Sequence, residues 1–123
     1  MAYEALDFYD IDSLLTDEER MIRDVVRDWV EERILPNIEE ACREGVFPDE
    51  WRAEIGEMGI LGAPLKGYGC PGLSYTAYGL ICQELERGDS GVRSFASVQG
   101  SLVMYPIWDF GSEEQKEQYL PKM

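Results

Sequence analysis

Histidine is missing from this 123-residue chain. Its absence excludes histidine-based triads, most catalytic zinc sites and the side chain that ordinarily serves as a base near neutral pH. Positive charge is scarce: 11 Lys and Arg stand against 25 Asp and Glu, a formal net charge of −14. Neither a phosphate backbone nor an anionic lipid surface is attracted to such a chain. Cysteine is limited to Cys42, Cys70 and Cys82, an odd count with no CxxC spacing. That fits a reduced intracellular protein better than a disulfide framework. Long uncharged runs are also lacking: residues 67–83 carry no charge but are too short for a bilayer and are broken by Gly and Pro. The acidic N-terminus MAYEALDFYD does not read as a signal peptide. What remains is a soluble chain of one domain, 45% hydrophobic and able to bury a core.

The acids are unevenly placed. Eighteen of the 25 precede Met58, and between Met58 and Ser112 only Glu84, Glu86, Asp89 and Asp109 occur. The middle of the chain is therefore expected to be buried or ligand-facing, with the first helices as a solvated flank.

The pattern predicts an all-α fold of about six helices. Residues 1–15 form an irregular lead-in packed by its aromatics. Thr16-Asp-Glu-Glu19 is a capping box, and the helix after it carries Ile22, Val25, Val26, Trp29, Val30 and Ile34 on one stripe until Pro36. A short helix from Asn37 to about Glu44 turns Ile38, Ala41 and Cys42 inward and stops at Gly45. A third starts at Pro48, buries Trp51, Ile55 and Met58, and is capped by Gly59. The stretch LGAPLKGYGCPGLS (61–74) has four glycines and two prolines but neither GxGxxG nor a Walker lysine. It is read as a structured turn without a strand, with Lys66 and Tyr68 as exposed contact candidates. Ser74 caps a fourth helix with Ala77, Tyr78, Ile81, Cys82 and Leu85 inward, ending at Arg87-Gly88. Glu84 and Glu86 point in different directions and are no catalytic pair; a solvated edge or an ion pair with Arg87 is expected. A long helix follows to Phe110, bent near its end by Pro106. Ser112-Glu-Glu-Gln115 then opens a last capped helix reaching Leu120. The two long helices and the Ser74 helix make the core of a bundle.

The long helix holds the candidate site. From Ser94 to Trp108 it carries no charge, which predicts burial on most faces. With Ser90 as N-cap, the cation of Arg93 lies in the first turn, where the backbone field is already positive and an anion is called for. Arg93, Ser97 and Ser101 share a face, Ser94 lies beside them, and Gly100 opens a notch. A small carboxylate, gripped by the guanidinium fork, fits that set. Two other readings stay open on spacing alone: Asp89 pairs with Arg93, or the small residues mark close helix packing.

Two stretches carry a resemblance: LLTDEERMIRDVVRDWVEERILPNIEEACREGVFPDEW, and YGCPGLSYTAYGLICQELERGDSGVRSFASVQGSLVMYPIWDFGSEEQKEQYLP. Both resemble the N-terminal helical domain of acyl-CoA dehydrogenases, most closely the glutaryl-CoA branch. GYGCPG, ELERGDSG and the run from Arg93 to Ser101 are the specific part, while the GSEEQK…YLP close is shared more widely. The resemblance implies a domain spanning 1–123, with the β-domain and second helical domain outside these residues. It implies an FAD enzyme in which a glutamate takes the α-proton of an acyl-CoA and flavin takes the β-hydride. Electrons pass on to an electron-transfer flavoprotein, and in the glutaryl branch the product loses carbon dioxide to give crotonyl-CoA. Arg93 then binds the far carboxylate of glutaryl-CoA with Ser94 assisting, and Ser97 joins them by helical spacing. No catalytic, flavin-binding or metal-binding residue is assigned here, and this chain alone is expected to be inactive. A homotetramer is implied for the complete enzyme, in the cytoplasm of a bacterium or the mitochondrial matrix of a eukaryote. A reading of a different class is a stand-alone helical interaction module derived from the same family.

Overall fold

The computed structural model describes residues 6–123. Six helices follow in order. The first, α1, is Asp17–Trp29 continued without a break by a π-helical turn, Val30–Ile34. Next come α2 (Ile38–Glu44), α3 (Asp49–Glu57) and α4 (Tyr75–Gly88). The long helix, α5, is built from Ser90–Ser97, a π-helical stretch Val98–Met104, and Tyr105–Phe110. Then α6 spans Glu113–Tyr119 and ends in a 3-10 turn, Leu120–Lys122. The fold is all-α, and α4 lies between α1 and α5 at its centre.

Local chemistry sets the helix starts. Thr16 Oγ1 accepts from the Glu19 N–H at 3.2 Å, while Glu19 Oε2 accepts from the Thr16 N–H at 3.0 Å. This is the reciprocal capping box that satisfies two otherwise orphaned donors. Glu19 Oε1 also accepts from the hydroxyl of Ser74, 2.6 Å away, and Ser74 in turn caps α4 through the Ala77 N–H. One carboxylate thus couples the starts of the two central helices. Gly45, at φ 68°, ends α2 in the left-handed conformation that glycine adopts without steric cost.

The main core joins Val26, Val30 and Ile34 of α1 to Ile81 and Leu85 of α4 and Val92 and Ala96 of α5, closed by Trp51 and Ile55 of α3. Gly88 allows close approach: a Cβ there would lie 2.8 Å from Val30 Cγ1 and 3.1 Å from Ile34 Cγ2. Trp29 Nε1 and the Arg33 guanidinium both donate to Glu54, tying α1 to α3. A second small core gathers Leu65, Met104 and Leu120.

Several expectations change. The lead-in is not packed by its aromatics: Phe8 and Tyr9 are exposed, and residues 1–5 lie outside the described part. Polar contacts hold it instead. Asp7 accepts from the Tyr9 and Ile11 N–H groups, Arg20 donates to the Asp12 and Leu15 carbonyls, and Arg23 pairs with Asp12 across a 3-10 turn, Ile11–Leu14. Val25 and Cys42 are exposed rather than inward: α1 packs into the core through Ile22, Val26, Trp29, Val30 and Ile34, and α2 through Ile38 and Ala41. The turn over 61–74 contains a minimal hairpin, β1 (Lys66–Gly67) against β2 (Cys70–Pro71). Its two central residues, Tyr68 and Gly69, both have positive φ, the twist that two-residue hairpins require. Lys66 is exposed as expected. Tyr68 is not a free contact: its hydroxyl donates to Glu113 at 2.6 Å, and the Trp108 indole N–H donates to the Lys66 carbonyl at 2.8 Å.

Candidate functional site

The connection between α4 and α5 is a single residue, Asp89. Its carboxylate accepts from the Gly91 and Val92 N–H groups at 2.7 and 3.1 Å, so Asp89, not Ser90, is the N-cap. Occupied in this way, Asp89 does not pair with the Arg93 side chain. Arg93 reaches across the turn instead: its Nε donates to Glu86 Oε2 at 2.6 Å and its NH1 to Ser97 Oγ at 3.1 Å. The anion demanded by the first turn of α5 is therefore supplied from α4. Spacing within one helix cannot reveal such a pair, because the two residues lie on different helices.

With so tight a connection, the two helices run antiparallel and bring matching stripes together. Tyr78, Cys82 and Glu86 are four residues apart on α4; Arg93, Ser97 and Ser101 are four apart on α5. Glu86 meets Arg93 at one end, and Tyr78 and Ser101 hydroxyls are 3.1 Å apart at the other. The Ser97 hydroxyl accepts from Arg93 and donates to the Ser94 carbonyl at 3.3 Å. Ser94 Oγ has no hydrogen-bond partner among the described residues and is half-buried. Of the three predicted site residues, Arg93 and Ser97 are hydrogen-bonded to each other, while Ser94 joins them only through its backbone carbonyl. Gly100 does not join them: it is buried on the opposite side, where a Cβ would lie 3.3 Å from the Gly62 backbone nitrogen.

Charge on this seam is well defined. Hydrogen bonds from Arg93 and Ser90 hold the Glu86 carboxyl below its usual range, and the Glu86 hydrogen bond raises the Arg93 pKa further. Burial pushes the Tyr78 phenol and the Cys82 thiol up, so both stay protonated at neutral pH. Of the five guanidinium N–H groups of Arg93, one on NH1 and both on NH2 have no partner among the described residues. The Arg93 side chain is 34% exposed.

The outward side of α5 is not buried as its neutral composition predicts. Val98, Leu102 and Phe110 are exposed, Leu102 by 69% and Phe110 by 81%. A cleft of about 420 Å³ lies between the end of α5 and α6, lined by Pro106, Ile107, Phe110, Gly111, Gln115, Tyr119 and Met123. A second, of about 300 Å³, lies by α2 and α3. Neither contains Arg93. Among the described residues, every buried side-chain nitrogen and oxygen has a hydrogen-bond partner. No group of Cys, Asp or Glu there could hold a metal ion, and no helix is long and apolar enough to cross a membrane.

Comparison with known proteins gives these features a family. Residues 16–123 match the family model for the N-terminal domain of acyl-CoA dehydrogenases, and the chain belongs to that family. It is similar to the crystal structure of glutaryl-CoA dehydrogenase from Mycobacterium smegmatis, with 57% identity over 90% of this chain and 29% of that one, at a TM-score of 0.85. A second glutaryl-CoA dehydrogenase structure from Mycobacterium smegmatis, in complex with FADH2, is 50% identical over 94% of this chain and 30% of that one, at a TM-score of 0.89. Butyryl-CoA dehydrogenase from Megasphaera elsdenii is 32% identical, also over 94% and 30%, at a TM-score of 0.82. The chain spans less than a third of the length of these relatives.

Proposed function

We propose that this chain is the N-terminal helical domain, spanning 1–123, of an FAD-dependent acyl-CoA dehydrogenase acting on glutaryl-CoA. Its α4–α5 seam supplies the pocket wall that binds the substrate's terminal carboxylate. The observation that carries the reading is the gap in identity: 57% and 50% to two glutaryl-CoA dehydrogenase structures against 32% to the butyryl-CoA enzyme. The butyryl substrate differs in lacking the second carboxylate, and the open guanidinium edge of Arg93 is the group in this domain suited to that carboxylate.

We assign no flavin contact to this domain. A flavin bound in the complete enzyme would supply the acceptor for the β-hydride, and its electrons would pass to an electron-transfer flavoprotein. A homotetrameric assembly and the loss of carbon dioxide belong to the same reading. The role of this domain is to bind and orient. Arg93 presents two NH2 donors and one NH1 donor, Ser94 adds a free hydroxyl, and Ser97 holds the guanidinium in place. Glu86 keeps the seam electrically neutral before substrate arrives, which limits attraction for stray anions.

Arg93→Ala in the full-length enzyme tests the assignment. Loss of a charge-assisted, two-point contact is expected to lower kcat/KM for glutaryl-CoA by roughly 30- to 1,000-fold. Butyryl-CoA should be affected far less. Equal losses for both substrates, or none, overturn the carboxylate role. The exposed apolar side of α5 equally suits a helical module that binds a partner. A flavin band that bleaches anaerobically with glutaryl-CoA decides for the enzyme.

A further inference from the structure

The pairing at the far end of the seam is unexplained by carboxylate binding, since Tyr78 and Ser101 lie two helical turns from Arg93. Ser101 belongs to the π-helical stretch Val98–Met104. A π turn is wider than an α turn and uncommon, so its rotation about the helix axis is set less by its own hydrogen bonds and more by what grips it. On the inner side the grip is apolar: Gly100 lies against Gly62, and Met104 is buried with Leu65 and Leu120. On the seam side the described polar contact is the 3.1 Å hydrogen bond between Ser101 and Tyr78. Tyr78 is half-buried on α4, whose position is fixed by the main core. Ser97, which holds Arg93 NH1, is the residue just before the π stretch.

We infer that Tyr78 is a positioning residue for the carboxylate-binding face: its hydroxyl, tied to Ser101, fixes the rotation of α5 and thereby the direction in which Ser97 holds Arg93. The inference rests on the carboxylate reading of Arg93 and adds a residue on the neighbouring helix that determines selectivity. Burial favours the neutral phenol, so the Tyr78–Ser101 pair stays uncharged across the physiological pH range. Removing the hydroxyl leaves the ring and its packing in place while freeing the π turn to rotate. Since misplacement by about 1 Å can cost as much as 100-fold, a small rotation is enough to matter.

The test uses the full-length enzyme, with kcat/KM measured for glutaryl-CoA and for butyryl-CoA and the melting temperature recorded for each variant. Tyr78→Phe is expected to lower the glutaryl-to-butyryl ratio by roughly 5- to 20-fold. Ser101→Ala should give the same fall, and the double variant no more than either single, because both break one hydrogen bond. An unchanged ratio, equal losses on both substrates, or single effects that multiply in the double variant overturns the inference. Arg93→Ala separates the two levels. If it collapses the ratio while Tyr78→Phe does not, only the positioning role fails; if Arg93→Ala itself spares the ratio, the carboxylate reading fails first.

Discussion

Glu84 and Glu86 are neighbours but one on the same helix, and they meet opposite surroundings. Glu84 faces α1 with its side chain 1% exposed, and accepts from Arg27 Nε and NH2 at 3.2 and 2.8 Å and from Arg87 Nε at 2.9 Å. Arg87 also pairs with Glu31 at 3.3 Å, so the ion network joins α1 to α4 at several points. Glu86 faces α5, is 46% exposed, and pairs with Arg93 across the interhelical turn. Burial alone makes a carboxylate less acidic; Arg27 and Arg87 more than offset this, and Glu84 ends below its ordinary value near 4.5. Glu86 ends low through its hydrogen bonds to Arg93 and Ser90. The same chemical group fastens two helices where it is buried and neutralises a cation where it is half-exposed, although the arginines are similarly exposed in both places. Solvent decides which.

That contrast can be broken, beginning with its strongest arm. Glu84→Ala removes the buried carboxylate that two part-exposed arginines share, and is expected to destabilise the fold by about 2–3 kcal/mol, read from denaturant unfolding. Gly88→Ala attacks the same α1–α4 contact by crowding, pressing a methyl against Val30 and Ile34, at about 1–3 kcal/mol. A result near zero for either variant means that the buried side is not the fastening side.

Acid titration sharpens the comparison. A carboxylate with a lowered folded pKa contributes stability that is complete above its unfolded value and is lost as pH falls through the folded one. Glu84 therefore helps to hold the fold at neutral pH, and stability should decline below about 4.5. Glu84→Gln should flatten that decline; an unaltered slope removes Glu84 from the acid response. Smallest of all is Glu86→Gln, for which the unfolding midpoint should not move measurably, because a half-exposed pair is well solvated. A clear drop in the midpoint erases the distinction between the two glutamates.

Much of this arrangement is written in the chain. Thr16 and Glu19, Ser74, and Ser112 with Gln115 announce their helix starts because caps act over three residues, and all three are present. The shared face of Arg93 and Ser97 is equally local. Contacts between elements are harder to read. Glu86 was legible as a charged edge but not as the partner of Arg93, and Arg27 gives no local sign of reaching Glu84, 57 residues away. Asp89 and Ser90 both suit an N-cap, and only the backbone geometry chooses Asp89. Charge depletion in α5 predicted burial, yet Leu102 and Phe110 are exposed. A neutral sequence records what a surface does not carry; it does not say which molecule covers it.

The one-residue link at Asp89 also bears on how the domain assembles. Glu86 and Arg93 are only seven positions apart, and closing so short a loop forfeits little chain entropy. The packing of α1 on α4 must instead bring together residues more than fifty positions apart. Contacts close in sequence cost less chain entropy than distant ones, so the α4–α5 hairpin is expected to form ahead of the docking of α1, an order that φ-value analysis checks. The seam proposed to select a substrate is then also among the first parts of the molecule to exist.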